Sequence, residues 1–247
     1  MISKNKLKEL AAFRQQRCCD EEGVFVVEGP KMAAEAMASG FAIRTICATE
    51  EWIATHEVDA ISEVYEVSQS ELERLSNMRT PNQVWMMVER TDSIGIEMGS
   101  SALVLALDRL QDPGNMGTIM RTADWFGIRH IVCSHDTVSC FNPKVVQSSM
   151  GAVFRTKVEY VDISQWLASC GMPVYGASLQ GKPLSRNGNP LDSNTSAVLL
   201  IGNESRGISP EAMEYVTHPI LIPNIGGTAE SLNASVAAGI LMHYFVS

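Results

Sequence analysis

The sequence predicts an α/β protein of two domains, a small one over residues 1–92 and a larger one over 101–247, joined at about 93–100. Three observations carry that prediction. Short apolar or β-branched runs alternate along the chain with alanine-rich or amphipathic stretches. The segment Thr91 to Ser101, with two glycines and three serines, has neither helical nor strand periodicity. At 247 residues the chain also exceeds the length of an average single domain.

Residues 3–17 are polar with Leu7, Leu10 and Ala11 at helical spacing, which predicts a short amphipathic helix. Gly23 to Glu28 reads as a strand, followed by an alanine-rich helix to about Ser39 and a β-branched run from Ile43 to Ala48. A strand near Val64 to Val67, a helix from Ser70 to Leu75 and an apolar run from Val84 to Val88 complete the small α/β unit. In the larger domain strands are expected at Ala102–Leu107, His130–Ser134, Thr156–Tyr160, Val174–Ala177, Ala197–Ile201 and Ile220–Ile222. Their near-continuous apolar character suits a parallel sheet buried on both faces. In such sheets ligands bind at the loops that follow the carboxyl ends of the strands.

Apolar residues make up 45% of the chain and charged residues 19%, the balance of a folded globular protein. The net charge of −9 excludes a protein that coats nucleic acid through bulk charge, so any RNA contact must be local. Lys4, Lys6, Lys8, Arg14 and Arg17, opposed only by Glu9, form the candidate RNA-binding arm; the same pattern also suits a solvated helix face. The six cysteines and five histidines show no metal-ligand spacing, so no metal site is expected. With neither an apolar signal core nor a membrane-length apolar run, a cytoplasmic enzyme or binding protein is expected.

Three loops carry the chemistry. The first, LDRLQDPGNMGTIMRTADWFGI, combines a turn at Pro113, Gly114 and Gly117 with Asn115, placed to cap the helix that follows. On that helix Ile119, Thr122, Ala123 and Phe126 share one face, and Arg121, Asp124 and Trp125 project from the other. Arg121 and Trp125 then either bind a phosphate and stack on a base or meet a second subunit, unless Arg121 simply pairs with Asp124 one turn on. The second, IGNESRGISPEAM, holds Glu204 and Asn203 between Gly202 and Gly207 at a strand end, and Ser209-Pro210-Glu211 opens a helix. The third, IPNIGGTAESLNASVAAGILMHYF, passes Gly226 and Gly227 before Ser231 or Glu230 opens a helix that carries the polar Asn233 in its first turn.

Taken in order, Asn115-x-Gly117 with Arg121, Gly202-x-Glu204 with Gly207, and Ile222-Pro223 with Ser231-Leu232-Asn233 resemble the SpoU/TrmH branch of the SPOUT RNA methyltransferases over about residues 101–247. Between Pro223 and Glu230 the loop is one residue longer than the usual pattern, with Asn224 in place of the common methionine. The N-terminal part, including EEGVFVVEGPKMAAEAM, looks like the small substrate-binding domain often fused to this family, with a ribosomal L30e-like fold.

The resemblance implies a deep trefoil knot, a homodimer with its active site near the subunit interface, and methyl transfer from S-adenosyl-L-methionine to a ribose 2′-hydroxyl of RNA, ribosomal RNA being favoured over transfer RNA. It implies a catalytic set of Arg121, Asn115, Glu204, Ser231 and Asn233. The cofactor is implied at Ala177, Ser178, Ile201, Gly202, Asn203, Gly207, Ile222 and Leu232. The competing expectation is a non-catalytic structured-RNA-binding protein that retains the fold.

Overall fold

The computed structural model describes residues 1–58, 61, 63–91, 103–184 and 196–246, so the linker expected at 93–100 lies outside the described residues. The chain divides into two units. Met1–Ser93 with Phe141–Phe154 form the first, and Ile94–Cys140 with Arg155–Ser247 form the second.

In the first unit the expected single helix over 3–17 is two. Ser3 caps α1 (Lys4–Ala11) by accepting the Lys6 backbone N–H, a single 3₁₀ turn follows, and Gln15 is extended before α2 (Gln16–Glu21). The break lets Leu7 and Leu10 of α1 and Cys19 of α2 reach one core with Val24, Val26, Leu72, Leu75 and Trp85. Strand β1 (Val24–Glu28) leads into α3 (Pro30–Ala38), β2 (Ile43–Ala48), α4 (Glu50–Ile53), β3 (Glu63–Glu66), α5 (Gln69–Leu75) and β4 (Val84–Glu89). The strands form a sheet in the order β1-β4-β2-β3, parallel only between β2 and β3. Phe141–Phe154, within the stretch expected as the larger domain, packs with the first unit. Aromatic packing explains this: the Phe25 ring lies 4.8 Å from that of Phe141 and 5.8 Å from that of Phe154.

Glu28, at the carboxyl end of β1, is buried and accepts hydrogen bonds from the Ser76 hydroxyl and, at 3.1 Å, from the Asn77 backbone N–H. Burial lifts its carboxyl above the ordinary carboxylate range despite those bonds. A carboxyl raised in the folded state favours folding below its unfolded value and loses that contribution as pH rises through the folded one. Glu28→Gln, which does not titrate, should therefore melt above wild type at pH 7.5, with the difference shrinking towards pH 4. Thermal melts at several pH values check this, each 1 kcal/mol appearing as about 2–4 °C in a chain of this size.

The second unit contains β5 (Leu103–Leu107), α6 (Pro113–Trp125), β6 (His130–Ser134), β7 (Lys157–Val161), α8 (Ile163–Ser169), β8 (Val174–Pro183), β9 (Ala197–Ile201), α9 (Pro210–Met213), β10 (His218–Leu221) and α10 (Ala234–Val246); α7 (Pro143–Ser149) belongs to the first unit. The six strands are all parallel, in the order β10-β8-β9-β5-β6-β7. Central β5 and β9 are buried throughout, as the apolar runs predict. Val104, Ala106, Val198 and Leu200 pack with Ile163, Leu167 and Ala212 of α8 and α9, while α10 packs on α6 and reaches β9. Strand β8 runs past the expected Ala177 to Pro183, because its pairing with β10 jumps from Gly176–Pro219 to Lys182–Ile220. Ala177 and Ser178 lie in the stretch between those registers.

Candidate active site

Because the sheet is parallel, β5, β9 and β10 deliver the three loops to one edge, that of the strand carboxyl ends. The first loop enters α6 with Asp112, not Asn115, as its cap: the Asp112 carboxylate accepts the Asn115 backbone N–H at 2.8 Å. Pro113 at the first helical position explains the shift, since its preset φ starts the helix three residues earlier than Asn115 would. Asn115 is thereby carried into the first turn with its amide buried and available.

The second loop is a tight closure. Asn203 and Gly207 exchange backbone hydrogen bonds of 2.9 Å, and Gly207 has φ of 68°. A Cβ on Gly202 would lie 2.2 Å from the Gly207 carbonyl carbon and the Ile208 nitrogen, so only glycine permits that approach. This closure holds Glu204 at the strand end, where its Oε1 accepts the Asn115 side-chain amide at 3.0 Å and its Oε2 accepts that of Asn203 at 3.3 Å.

The third loop corrects the expected start of the last helix. Neither Ser231 nor Glu230 opens it: α10 begins at Ala234, and Asn233 is its cap, accepting the Ser235 and Val236 backbone N–H groups at 2.9 and 3.3 Å. With Oδ1 spent on the cap, Asn233 Nδ2 donates to Asn115 Oδ1 at 2.9 Å. The result is a side-chain relay, Asn233 to Asn115 to Glu204, that fastens all three loops together.

Arg121 is exposed two turns along α6 from that relay. Its alternative partner Asp124 is occupied by Arg155 at 2.8 Å, and Arg121 has no ion pair among the described residues. Four of the five expected catalytic residues thus lie on the relay or on the helix that carries it. Ser231 does not join them; it is exposed and makes no hydrogen bond among the described residues.

The expected cofactor residues meet the same edge. Ile201 and Gly202 are buried at the end of β9, and Ile222 and Leu232 bracket the loop after β10, with Leu232 exposed. Asn224 folds that loop, its amide donating to Gly227 and Ala229 carbonyls at 3.0 and 3.4 Å while its oxygen accepts the Gly227 N–H at 2.7 Å. Apart from these bonds, the backbone of 222–232 makes no hydrogen bond among the described residues. Uncommitted peptide groups beside exposed Ile225 and Leu232 fit a ligand with an apolar body and several polar edges, as an adenine nucleoside has.

Two site residues were missed by the sequence reading. Asp108 is buried at the end of β5 and accepts the Ser209 N–H at 2.6 Å, tying the first loop to the exit of the second. Arg109, at φ of 58°, donates its N–H to Ser134 Oγ and accepts the Asn203 amide on its carbonyl, both at 2.8 Å. The available signal was an acid ending an otherwise apolar strand, which cannot be buried without partners. In the expected RNA-binding arm, Lys6 is bonded to Glu9 and Glu63 and Arg17 to Glu21, whereas Lys4, Lys8 and Arg14 are exposed.

Comparison with known proteins agrees with this geometry. The family model described as the SpoU rRNA Methylase family matches residues 102–243, and that of the MRM3-like substrate binding domain matches residues 4–85. The 23S rRNA (guanosine(2553)-2′-O)-methyltransferase of Bacillus subtilis is 29% identical, covering 97% of this chain and 95% of its own. A TrmH-family protein from Porphyromonas gingivalis superposes with a TM-score of 0.86 at 37% identity, covering 99% of this chain and 98% of its own. An AdoMet-bound rRNA methyltransferase from Sinorhizobium meliloti gives 0.85 at 29%, covering 99% and 95%.

Proposed function

Because the chain belongs to the SpoU rRNA methylase family, we propose that it methylates a ribose 2′-hydroxyl of ribosomal RNA, using S-adenosylmethionine held on the loops of the second unit. The observation that carries this reading is the Asn233–Asn115–Glu204 relay, which fixes three otherwise separate loops beside an exposed, unpaired Arg121. When bound, the cofactor supplies an activated methyl group. Ile201, Gly202, Asn203, Gly207, Ile222 and Leu232 would hold it, with Ala177 and Ser178 alongside.

Alignment of the 2′-oxygen with that methyl group is the protein's main task, and such positioning supplies roughly 7–11 kcal/mol of barrier lowering. Arg121 anchors the phosphate next to the target ribose and polarises the hydroxyl; with a pKa above about 12 a guanidinium is a poor base. Asn115 and Asn233 hold the helix and loop in register for it, Glu204 ties them to the closure at Gly202, and Ser231 meets the ribose from the third loop. The reading includes a knotted second unit, supported by α10 returning to pack on α6 beside β9. It also includes a homodimer. Exposed Trp125, one turn beyond Arg121, and exposed Val236 and Ile240 on the neighbouring α10 give it an apolar face next to the catalytic arginine. Placement of the protein in the cytoplasm belongs to the same reading, since ribosomal RNA is met there.

Incubation of the full chain with labelled S-adenosylmethionine and unmodified large-subunit ribosomal RNA should place label on a ribose 2′-oxygen. Calorimetry with the cofactor alone separates the competing reading: a protein that binds this RNA but not the cofactor at millimolar concentration is an RNA-binding module, not an enzyme.

A further inference from the structure

A net-acidic chain that grips RNA needs a place where cations stand unopposed. In the first unit many do not: Lys6, Arg17, Arg44 and Arg90 are all in ion pairs with carboxylates. The buried Glu28 points to a place where they do. Its carboxylate fixes Ser76 and Asn77, and the Ser76 hydroxyl also accepts the Met78 N–H at 2.9 Å. The Asn77 side-chain amide in turn donates to the Arg14 carbonyl at 3.2 Å. One carboxylate therefore ties the loop that carries Arg79, and through Asn77 the 3₁₀ turn that carries Arg14, to the carboxyl end of β1, from which the chain runs directly into α3 and Lys31. All three cations are exposed, and none is paired among the described residues.

We propose that Arg14, Lys31 and Arg79 form the face with which the first unit grips RNA phosphates, and that Glu28 is the positioning residue that fixes their spacing. A surface glutamate among arginines would cancel their field. Withdrawn beneath the surface and spent on hydrogen bonds, the same carboxylate organises the cations without meeting the phosphates. This moves the RNA-contacting face from the whole of the helical arm to its last turn and two segments distant in sequence. The inference rests on the RNA-substrate reading above.

The test is binding of the full chain to an unmodified large-subunit ribosomal RNA transcript between 50 and 200 mM KCl, with methyl transfer measured on the same samples. The Arg14→Ala/Lys31→Ala/Arg79→Ala triple variant should bind more than about tenfold more weakly, with the salt slope reduced by about 0.7 per cation removed. Its cofactor affinity and melting temperature should not change. Arg129→Glu, exposed before β6 in the second unit, should leave binding within about twofold. Glu28→Ala should reproduce the loss, and Glu28→Gln, which keeps hydrogen-bonding atoms in place, should restore binding; a merely electrostatic role would leave both variants alike. Should Glu28→Ala fail to fold, the triple variant decides, because its positions are exposed. Wild-type affinity and slope in the triple variant would overturn the face while leaving the methyltransferase reading intact. A wild-type chain that neither binds nor methylates this RNA would overturn both.

Discussion

Replacing Arg121 with alanine is expected to lower kcat/KM for methyl transfer by about 10²–10³-fold, or roughly 3–4 kcal/mol of transition-state stabilisation. The melting temperature and the affinity for S-adenosylmethionine should not change. The stability half of this expectation follows from the structure: Arg121 is exposed, and Asp124, the acid one turn on, is bonded to Arg155 instead. Truncating the side chain therefore strands no buried partner. The activity half follows from position, on a helix whose first turn is locked by Asn115 to both other loops. Arg121→Lys keeps the charge but not the planar fork that grips a phosphate with two parallel hydrogen bonds, so it should recover only a small part of the rate. Steady-state kinetics at saturating cofactor, with thermal melts on the same preparations, measures both halves. A full-rate Arg121→Ala enzyme would remove this residue from the mechanism.

Much of this site was legible because parallel sheets write their chemistry locally. An apolar run marks each strand, and the glycine, proline and polar residues just after it mark the loop at its carboxyl end. Arg121's outward orientation was equally legible from helical spacing. What the sequence concealed was partnership. Spacing offers Asn115 as a cap, which it is not, and places Asn233 in the first turn of a helix opened by Ser231 or Glu230, when it is itself the cap. Asp112 took the first cap, and Asn233 took the second itself, so that the first helix freed the Asn115 amide and the second aimed the Asn233 amide at it. The same holds beyond the site. Gln15 breaks the first helix because two helical segments share one core, and Phe141–Phe154 leaves its neighbours in sequence because the ring of Phe25, 116 residues before Phe141, receives it. Hydrogen-bond partners and ring contacts across such separations leave no periodicity for a sequence to display.

Asn115→Asp is the substitution that tests the relay most severely, since it changes almost no volume while turning the donor that meets Glu204 into a second carboxylate. At the native separation of 3.0 Å two ionised carboxylates cannot share the site without a large penalty, and one of them must keep a proton. The variant's folded state therefore holds a carboxyl with a pKa raised above its unfolded value of about 4. The sign of the linkage follows: the shared proton favours folding at low pH, and its contribution is lost as pH rises through the raised folded value. Relative to wild type the melting deficit should be small near pH 5, where the retained proton can replace the amide's hydrogen bond, and should grow to pH 8. After solvent screening a penalty of about 1–3 kcal/mol is expected, with about 2–4 °C of melting temperature for each 1 kcal/mol. Methyl transfer at pH 8 should fall at least about tenfold, the equivalent of 1.4 kcal/mol, as Glu204 is pushed from the loop that it closes. Asn115→Ala provides the contrast. It removes the relay without adding charge, so its deficit should be independent of pH over this range. Equal, pH-independent deficits in the two variants would mean that Glu204 is not the partner that Asn115 serves.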